Sequence, residues 1–271
     1  VVGPAAASII RDAFQPDQRG RAVGIWAMGA NIGGAAALLL GGLILRALGD
    51  APSVNVPIFG VVRSWQVVLF GCALITLPVA LLVLTFVEPA RTGSTSAQDR
   101  GFRAALVFMK EHSKLFTLVF LANGLTIIMV VPHGIWVPAM FERVWNLSRP
   151  EIAFTLGLMT LFLGASSQFI AGTILDRLER AKVTNPIPLF GIIVCVLAIV
   201  PGVYMPFAPS PAIAWAMQGV YMLISTSLFT IGTAFVTRIA PPEMAGKITS
   251  IHFLWMGLIG TLVGTTLYAA V

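Results

Sequence analysis

The sequence predicts an all-helical integral membrane bundle, and three observations support this fold class. Eight apolar stretches follow one another along 271 residues, and the charged side chains lie between them or at their ends. Most stretches are long enough for a helix to cross about 30 Å of hydrocarbon. The apolar runs are continuous and lack the alternation of barrel strands, so their backbone groups must pair within helices. With 57% apolar and 10% charged residues, the chain is not an ordinary water-soluble domain.

Polar connections separate the eight stretches, each of which we predict to be a helix. The first stretch is short and begins without a methionine, so we interpret it as the end of a helix and the chain as a fragment. The other seven approach or exceed membrane-spanning length. In order, the stretches are Val1–Phe14, Val23–Leu48, Trp65–Val87, Leu115–Phe141, Ile152–Leu175, Ile187–Tyr204, Ala212–Val236 and Ile248–Val271.

The distribution of positive charge predicts the orientation. Of the 17 Lys and Arg residues, thirteen fall in segments on one face, and the other face holds Arg46, Arg63, Arg143 and Arg149. Basic loops stay in the cytoplasm, so the first face is predicted to be cytoplasmic. We therefore expect a multi-pass protein of the cell membrane, which is the inner membrane in a Gram-negative source. The net charge of +6 then reflects topology and contact with anionic lipids, and it does not indicate nucleic-acid binding.

One cytoplasmic connection is longer than the others and is predicted to link two bundles. It contains the polar run EPARTGSTSAQDRGFR followed by MKEHSK. Its first part has the composition of a flexible linker, whereas GFRAALVFMKEHSK has helical spacing and is suited to the membrane surface. A plain solvated loop is the alternative.

The two halves of the chain resemble each other, as an internal parallel repeat requires. QPDQRGRA at Gln15–Ala22 matches PPEMAGKI at Pro241–Ile248, and at the same offset Gly34 aligns with Gly260. In both copies a turn with proline and an acidic residue precedes a glycine and a basic residue that open the next helix. The alternative is a chance similarity between two loops.

These features resemble the major facilitator superfamily, in which twelve helices form two six-helix bundles joined by a long cytoplasmic loop. The resemblance covers the whole chain and implies that eight of the twelve helices are present, the first only in part. It implies that residues 1–87 are helices four to six, residues 88–114 the central linker, and residues 115–271 helices seven to eleven.

The segment GTILDRLER resembles the copy of the family's loop motif in the C-terminal bundle. Gly172, Asp176, Arg177 and Arg180 match the motif, whereas Glu179 replaces a second glycine that the family often has. The departure leaves the geometry of a tight turn at that position in doubt.

The family's Asp at this position sits at a cytoplasmic helix end and faces the start of a helix from the opposite bundle. The resemblance therefore implies that Asp176 faces RGRAVG, where Arg19 and Arg21 lie. A carboxylate at the positive end of a helix would latch the cytoplasmic side shut. The alternative is a local pair of Asp176 with Arg177 or Arg180.

A row of small residues in the second stretch resembles the family's helix-five motif. The motif aligns with Gly24, Gly33, Ala37, Leu38, Gly41 and Gly42. The Gly-Pro pair associated with antiporters is absent, since Ala37 and Leu38 stand there, and this weakens a claim of proton exchange. Together with Gly260 and Gly264, these glycines are predicted to let helices approach closely, which ordinary membrane packing also requires.

Within the superfamily, the segment from GIWVPAMFERVWN to GTILDRLER resembles the spinster group, with Trp-x-Pro before an outer loop. This group is linked to lipid-like amphiphiles, which the resemblance implies as the substrate class. A drug efflux pump or an organic-acid carrier of the same superfamily would show much of the same pattern.

Polar side chains at membrane depth are the candidates for a substrate cavity, because burying them there is costly. His133 lies in VVPHGIWVP, where Pro132, Gly134 and Pro138 predict a broken helix that turns the imidazole toward a cavity. The alternative is a histidine bonded to a carbonyl freed by the kink. The cavity candidates are Asn123, His133, Gln168, Gln218, Ser225 and Thr226.

A secondary transporter is the function class that these features favour. A membrane enzyme would need a clustered catalytic set and an ATP-driven pump would need a phosphate-binding glycine loop, and the sequence has neither. A non-transporting, receptor-like derivative stays open. We expect a monomer without cofactor or metal, in contact with membrane lipids and a small-molecule or lipid-like substrate. Proton coupling is implied by the resemblance alone, and uniport and exchange stay open.

Overall fold

The computed structural model describes residues 3, 6, 9–10, 13–49, 51, 53–56, 59–85, 101–241 and 244–270. Within these residues, seven helices are long and apolar enough to cross a membrane. A shorter amphipathic helix, α3, precedes the third of them. The helices are α1 (Arg19–Leu48), α2 (Ser64–Leu81), α3 (Phe102–Glu111), α4 (Ser113–Trp145), α5 (Arg149–Arg180), α6 (Pro186–Phe207), α7 (Pro211–Ile239) and α8 (Ala245–Leu267).

The seven long helices confirm the predicted helical membrane fold. The first predicted stretch, Val1–Phe14, lies largely outside the described residues. Residues 86–87 at the end of the third stretch and residues 88–100 of the predicted linker also lie outside them. The described part of that linker, from residue 101 onward, includes α3. Its Ala105 is fully buried against the start of α4, the end of α7 and the start of α8.

Local sequence signals set the ends of the spanning helices. The Ser148 hydroxyl accepts a hydrogen bond from the Glu151 amide at the start of α5, and Ser210 does the same for Ile213 at the start of α7. A proline stands in the first turn of both helices, where its missing N–H costs nothing. Helix α4 ends at Asn146, which has a left-handed φ of 53°.

The predicted break at Pro132, Gly134 and Pro138 does not occur, because α4 runs without interruption through all three residues. The reason is close packing against α8. A Cβ atom at Gly264 would lie 2.7 Å from Cγ of Pro132, so α8 supports the proline turn directly. Neighbouring helices commonly stabilise prolines in membrane spans in this way.

Two helices contain wider turns that the sequence does not predict. Helix α5 has a π turn at Thr160–Gly164, and α8 has one at Leu258–Gly264. Helix α7 is interrupted at Thr226, between the segments Pro211–Ser225 and Ser227–Ile239. Such irregular turns redirect side chains within a span and are frequent at functional sites.

A β-hairpin joins α1 to α2 on the face predicted to lie outside, and the sequence-based prediction of a purely helical chain missed it. Strand β1 (Ser53–Val56) pairs antiparallel with β2 (Gly60–Arg63), with Ser53 opposite Arg63. Gly60 has a φ of 71°, which glycine adopts readily. Both strands are shorter than a predicted membrane span and lie in a connection, where the bilayer does not require helix formation.

Helix α1 packs lengthwise against α5, which lies on the other side of the linker in sequence. Helix α4 packs against α8, α6 packs against α7, and α2 contacts α1. Large apolar side chains cover much of the outside of the molecule, as lipid contact requires. The pairing of α1 with α5 positions the candidate site described next.

Candidate functional site

The Asp176 carboxylate binds the N terminus of α1. Its two oxygens accept hydrogen bonds from the backbone amides of Gly20 and Arg21, each at 2.9 Å. Asp176 is only 4% exposed. The first amides of a helix have no partner within the helix and carry partial positive charge, so a buried carboxylate is stabilised there. The contact joins residues 156 and 155 positions apart and bridges α1 and α5.

Glycines make this contact possible. A Cβ atom at Gly20 would lie 2.5 Å from the Asp176 carboxylate, and one at Gly172 would overlap the carbonyl oxygen of Gly20. One turn further along α1, a Cβ atom at Gly24 would lie 2.5 Å from the carbonyl oxygen of Gln168. The two backbones are therefore in direct contact, and larger side chains would separate them.

The charged groups around Asp176 serve other contacts. The Arg21 guanidinium lies over the Phe169 ring, 5.4 Å from its centroid. The Arg180 Nε donates to the backbone oxygen of Asp176 at 3.3 Å. Arg177 is exposed. Among the described residues, the Asp176 carboxylate forms no ion pair with Arg177 or Arg180, the two arginines of the local-pair alternative. Its direct partners are the backbone amides of Gly20 and Arg21.

Glu179, which replaces the family's second glycine, forms an ion pair with Arg238 at the end of α7. Position 179 lies within α5, so no glycine turn is needed there. Arg19, Asp176, Glu179 and Arg238 line a common cavity of about 130 Å³. The ends of α5 and α7 therefore meet the start of α1 on one face, which the positive charges assign to the cytoplasm.

The predicted packing glycines fall into two groups. Gly24 and Gly42 contact α5, Gly41 contacts α2, and Gly260 and Gly264 contact α4. Gly33 differs from them, since a Cβ atom there would meet nothing within 4 Å among the described residues. The glycines predicted to pack between helices therefore include positions in close contact with a neighbouring helix and a position, Gly33, without such a contact among the described residues.

The predicted cavity residues form pairs between helices. The His133 Nε2 donates to Oε1 of Gln218 at 2.9 Å, and the imidazole lies 4.0 Å from the ring centroid of Tyr221. His133 and Gln218 are both buried. The partner of His133 is thus a side chain of α7 rather than a carbonyl of its own helix.

Gln168 lies opposite α7, where its Oε1 accepts a hydrogen bond from the Thr230 hydroxyl. Ser225 is buried, and the Thr226 hydroxyl donates to the Met222 carbonyl of its own helix at 2.6 Å. These residues therefore do not converge with His133 on one ligand site in the described contacts.

Asn123 pairs with His252, a contact between α4 and α8. The amide nitrogen of Asn123 donates to Nε2 of His252 at 3.0 Å, and His252 is fully buried. Nδ1 of His252 has no hydrogen-bond partner within the described residues. Asn123 is therefore the one hydrogen-bond partner of this imidazole in the part of the chain that the structure describes.

We expect a measurable coupling between Asn123 and His252 in folding stability. The single changes Asn123→Ala and His252→Ala each leave a polar partner unpaired, so the double variant should lose less than their sum, by about 1–3 kcal/mol. Unfolding of the purified protein in detergent measures this. Pairing Asn123→Ala with Thr261→Ala provides the control, because Thr261 is exposed and bonds within its own helix. Additive effects in the first cycle would contradict the pairing.

Two further features at the contact between the halves were not predicted from the sequence. Trp26 of α1 lies 6.0 Å from Phe229 of α7 and 6.3 Å from Phe253 of α8, between ring centroids. Asn31 of α1 faces the π turn of α5, where a Cβ atom at Gly164 would lie 3.2 Å from its Oδ1. An asparagine in the middle of an apolar run was the available signal for Asn31.

Comparisons with known proteins agree with this architecture. The sequence model described as Major Facilitator Superfamily matches residues 1–265. The structure is similar to the crystal structure of a bacterial homolog of the human lysosomal transporter Spinster, in an inward-facing and unoccupied conformation. The TM-score is 0.64 at 22% identity, and the match covers 96% of this chain and 57% of the other. No curated protein matches the chain.

Proposed function

Because this chain belongs to the Major Facilitator Superfamily, we propose that it acts in a secondary active transporter that works by alternating access. The bond between Asp176 and the start of α1 is the observation that carries the proposal. Alternating access requires a contact between bundles that closes one side and can be released. A carboxylate bound to two backbone amides, between glycine-lined helices, has the properties of such a contact.

The proposed substrate is an amphipathic or lipid-like small molecule. The rings of Trp26, Phe229 and Phe253 offer an apolar surface where α1 meets α7 and α8. His133, Gln218, Asn123 and Gln168 supply polar side chains within the spanning helices, and these side chains are paired between helices. Aromatic surfaces with few polar groups suit a molecule that has an apolar part and a polar head.

Flux measurements in proteoliposomes test this proposal. We expect the purified protein to move a fluorescent lysophospholipid faster than protein-free liposomes do, and organic cations or small organic acids much more slowly. Faster flux of either of those two classes would favour a drug efflux pump or an organic-acid carrier. No flux of any class, from a folded protein, would favour the receptor-like alternative.

Proton coupling is also part of the proposal, with His133 as a contributing group. His133→Ala removes the partner of Gln218 and a titratable ring. We expect it to slow flux by at least about tenfold, because positioned proton-transfer groups typically contribute about 10²–10⁴-fold. Expression and thermal stability should change less than flux does. The comparison is flux with and without a pH gradient, with Thr117→Ala as a control at an exposed position of α4. Unchanged flux in His133→Ala would contradict this role.

A further inference from the structure

A groove opens at the outer end of the contact between α1 and α5. Leu43 and Arg46 of α1 line one side, and Glu151 and Phe154 of α5 line the other. Its volume is about 340 Å³. A Cβ atom at Gly42 would lie 3.3 Å from the backbone oxygen of Pro150, so the last turns of α1 run beside the first turn of α5.

The groove continues two strips of exposed apolar side chains, one on each helix. On α1, Ile25, Ile32 and Leu43 are all more than 40% exposed and lie on one helix face by their spacing. On α5, Phe154 and Phe162 are exposed to a similar or greater degree at positions eight apart. The two strips flank the same contact between the helices. An acyl chain that follows this contact would reach the groove at the outer surface.

Opposite charges stand at the outer ends of these strips. Arg46 and Glu151 are both exposed, and neither side chain forms a hydrogen bond or an ion pair within the described residues. A guanidinium binds phosphate strongly, and a carboxylate accepts hydrogen bonds from an ammonium group. A headgroup that carries both a phosphate and a primary ammonium complements this pair of charges.

We propose that this groove binds a phospholipid of the outer leaflet with a zwitterionic, primary-amine headgroup. Arg46 binds the phosphate, Glu151 binds the ammonium, and Leu43 and Phe154 contact the start of an acyl chain. The bound lipid covers the outer end of the contact between α1 and α5. This lipid is held at the side of the protein, so the inference goes beyond the proposed transport function.

Lipid retention tests the proposal without a transport substrate. The purified protein is exchanged into nanodiscs of phosphatidylethanolamine, phosphatidylcholine or phosphatidylglycerol with the same acyl chains, and retained lipid is counted by native mass spectrometry. We expect phosphatidylethanolamine to be retained best. Arg46→Gln should lower its retention about fivefold through the lost charge-assisted bonds, and Arg46→Lys should restore part of it.

The Glu151→Gln variant is the sharper test, because it removes only the group that distinguishes the headgroups. We expect it to retain phosphatidylethanolamine and phosphatidylcholine equally. Arg143→Gln is the matched control, since Arg143 is exposed on the same outer face and does not line the groove. Equal retention of the three lipids by wild-type protein, or an unchanged preference in Glu151→Gln, would overturn the proposal. Neither result depends on whether the protein transports.

Discussion

The Asp176→Asn variant is expected to populate conformations open to the cytoplasm more than the wild-type protein does. The change keeps the size of the side chain but replaces one accepting oxygen with a donor and removes the charge. Hydrogen bonds to a charged acceptor contribute about 1.5–3 kcal/mol each, so a loss of about 2 kcal/mol is expected. That loss shifts the ratio of closed to open molecules about thirtyfold.

Distances between spin labels on the cytoplasmic face measure this shift. Labels on Gln18 and Lys182, both exposed, report the separation of α1 from the end of α5. The labelling background carries Cys72→Ala and Cys195→Ala, because both native cysteines are free. We expect a longer-distance population in Asp176→Asn.

Asp17→Asn is the matched control for this experiment. Asp17 lies in the turn before α1, and its carboxylate forms no hydrogen bond within the described residues. The control therefore removes the same charge near the same helix start and keeps both bonds to Asp176. Equal distance distributions in Asp176→Asn and the wild-type protein would refute the latch. An equal shift in Asp17→Asn would assign the effect to charge alone.

The second large effect is expected from Gly24→Ala. The added methyl group would lie 2.5 Å from the carbonyl oxygen of Gln168. This oxygen belongs to the helix backbone, so it cannot move aside as the end of a flexible side chain can. Helices α1 and α5 must separate, at a cost of about 1–3 kcal/mol for an overpacked contact. We expect the apparent Tm of the protein in detergent to fall by about 5 °C. Thermal unfolding followed by tryptophan fluorescence measures this.

Gly33→Ala is the matched control on the same helix, nine residues away. A methyl group there meets nothing within 4 Å among the described residues, and alanine has the higher helix propensity. The apparent Tm of Gly33→Ala should stay level or rise slightly. Similar losses in both variants would contradict the contact with Gln168 as the cause of the loss in Gly24→Ala.

Residue patterns alone were sufficient for the helical membrane fold and for the resemblance to the superfamily, and both are confirmed. The resemblance also led to the start of α1 as the partner of Asp176, and in the structure these two sites are in contact. Its role as a latch remains a prediction, as do the bundle boundaries and the cavity residues.

The hydrogen-bond partners of the buried polar groups could not be predicted from the sequence. His133 was expected to bond a carbonyl or to face a cavity, and it bonds Gln218, 85 residues away. The prediction of a broken helix around Pro132 was wrong, since the helix is continuous there and α8 packs on the proline. Both outcomes depend on which helix lies next to α4, and that information is absent from the local sequence.

Hydrophobicity and charge along the chain were enough to determine that this protein crosses the membrane in helices and which face carries the positive residues. These properties follow from the transfer of each segment from water to lipid, which depends on the composition of that segment. Only the tertiary structure decided that Gly24 is in contact while Gly33 is open, and that Arg46 shares a groove with Glu151. Lipid solvates every apolar helix face about equally, so the choice of neighbour depends on the fit of particular surfaces.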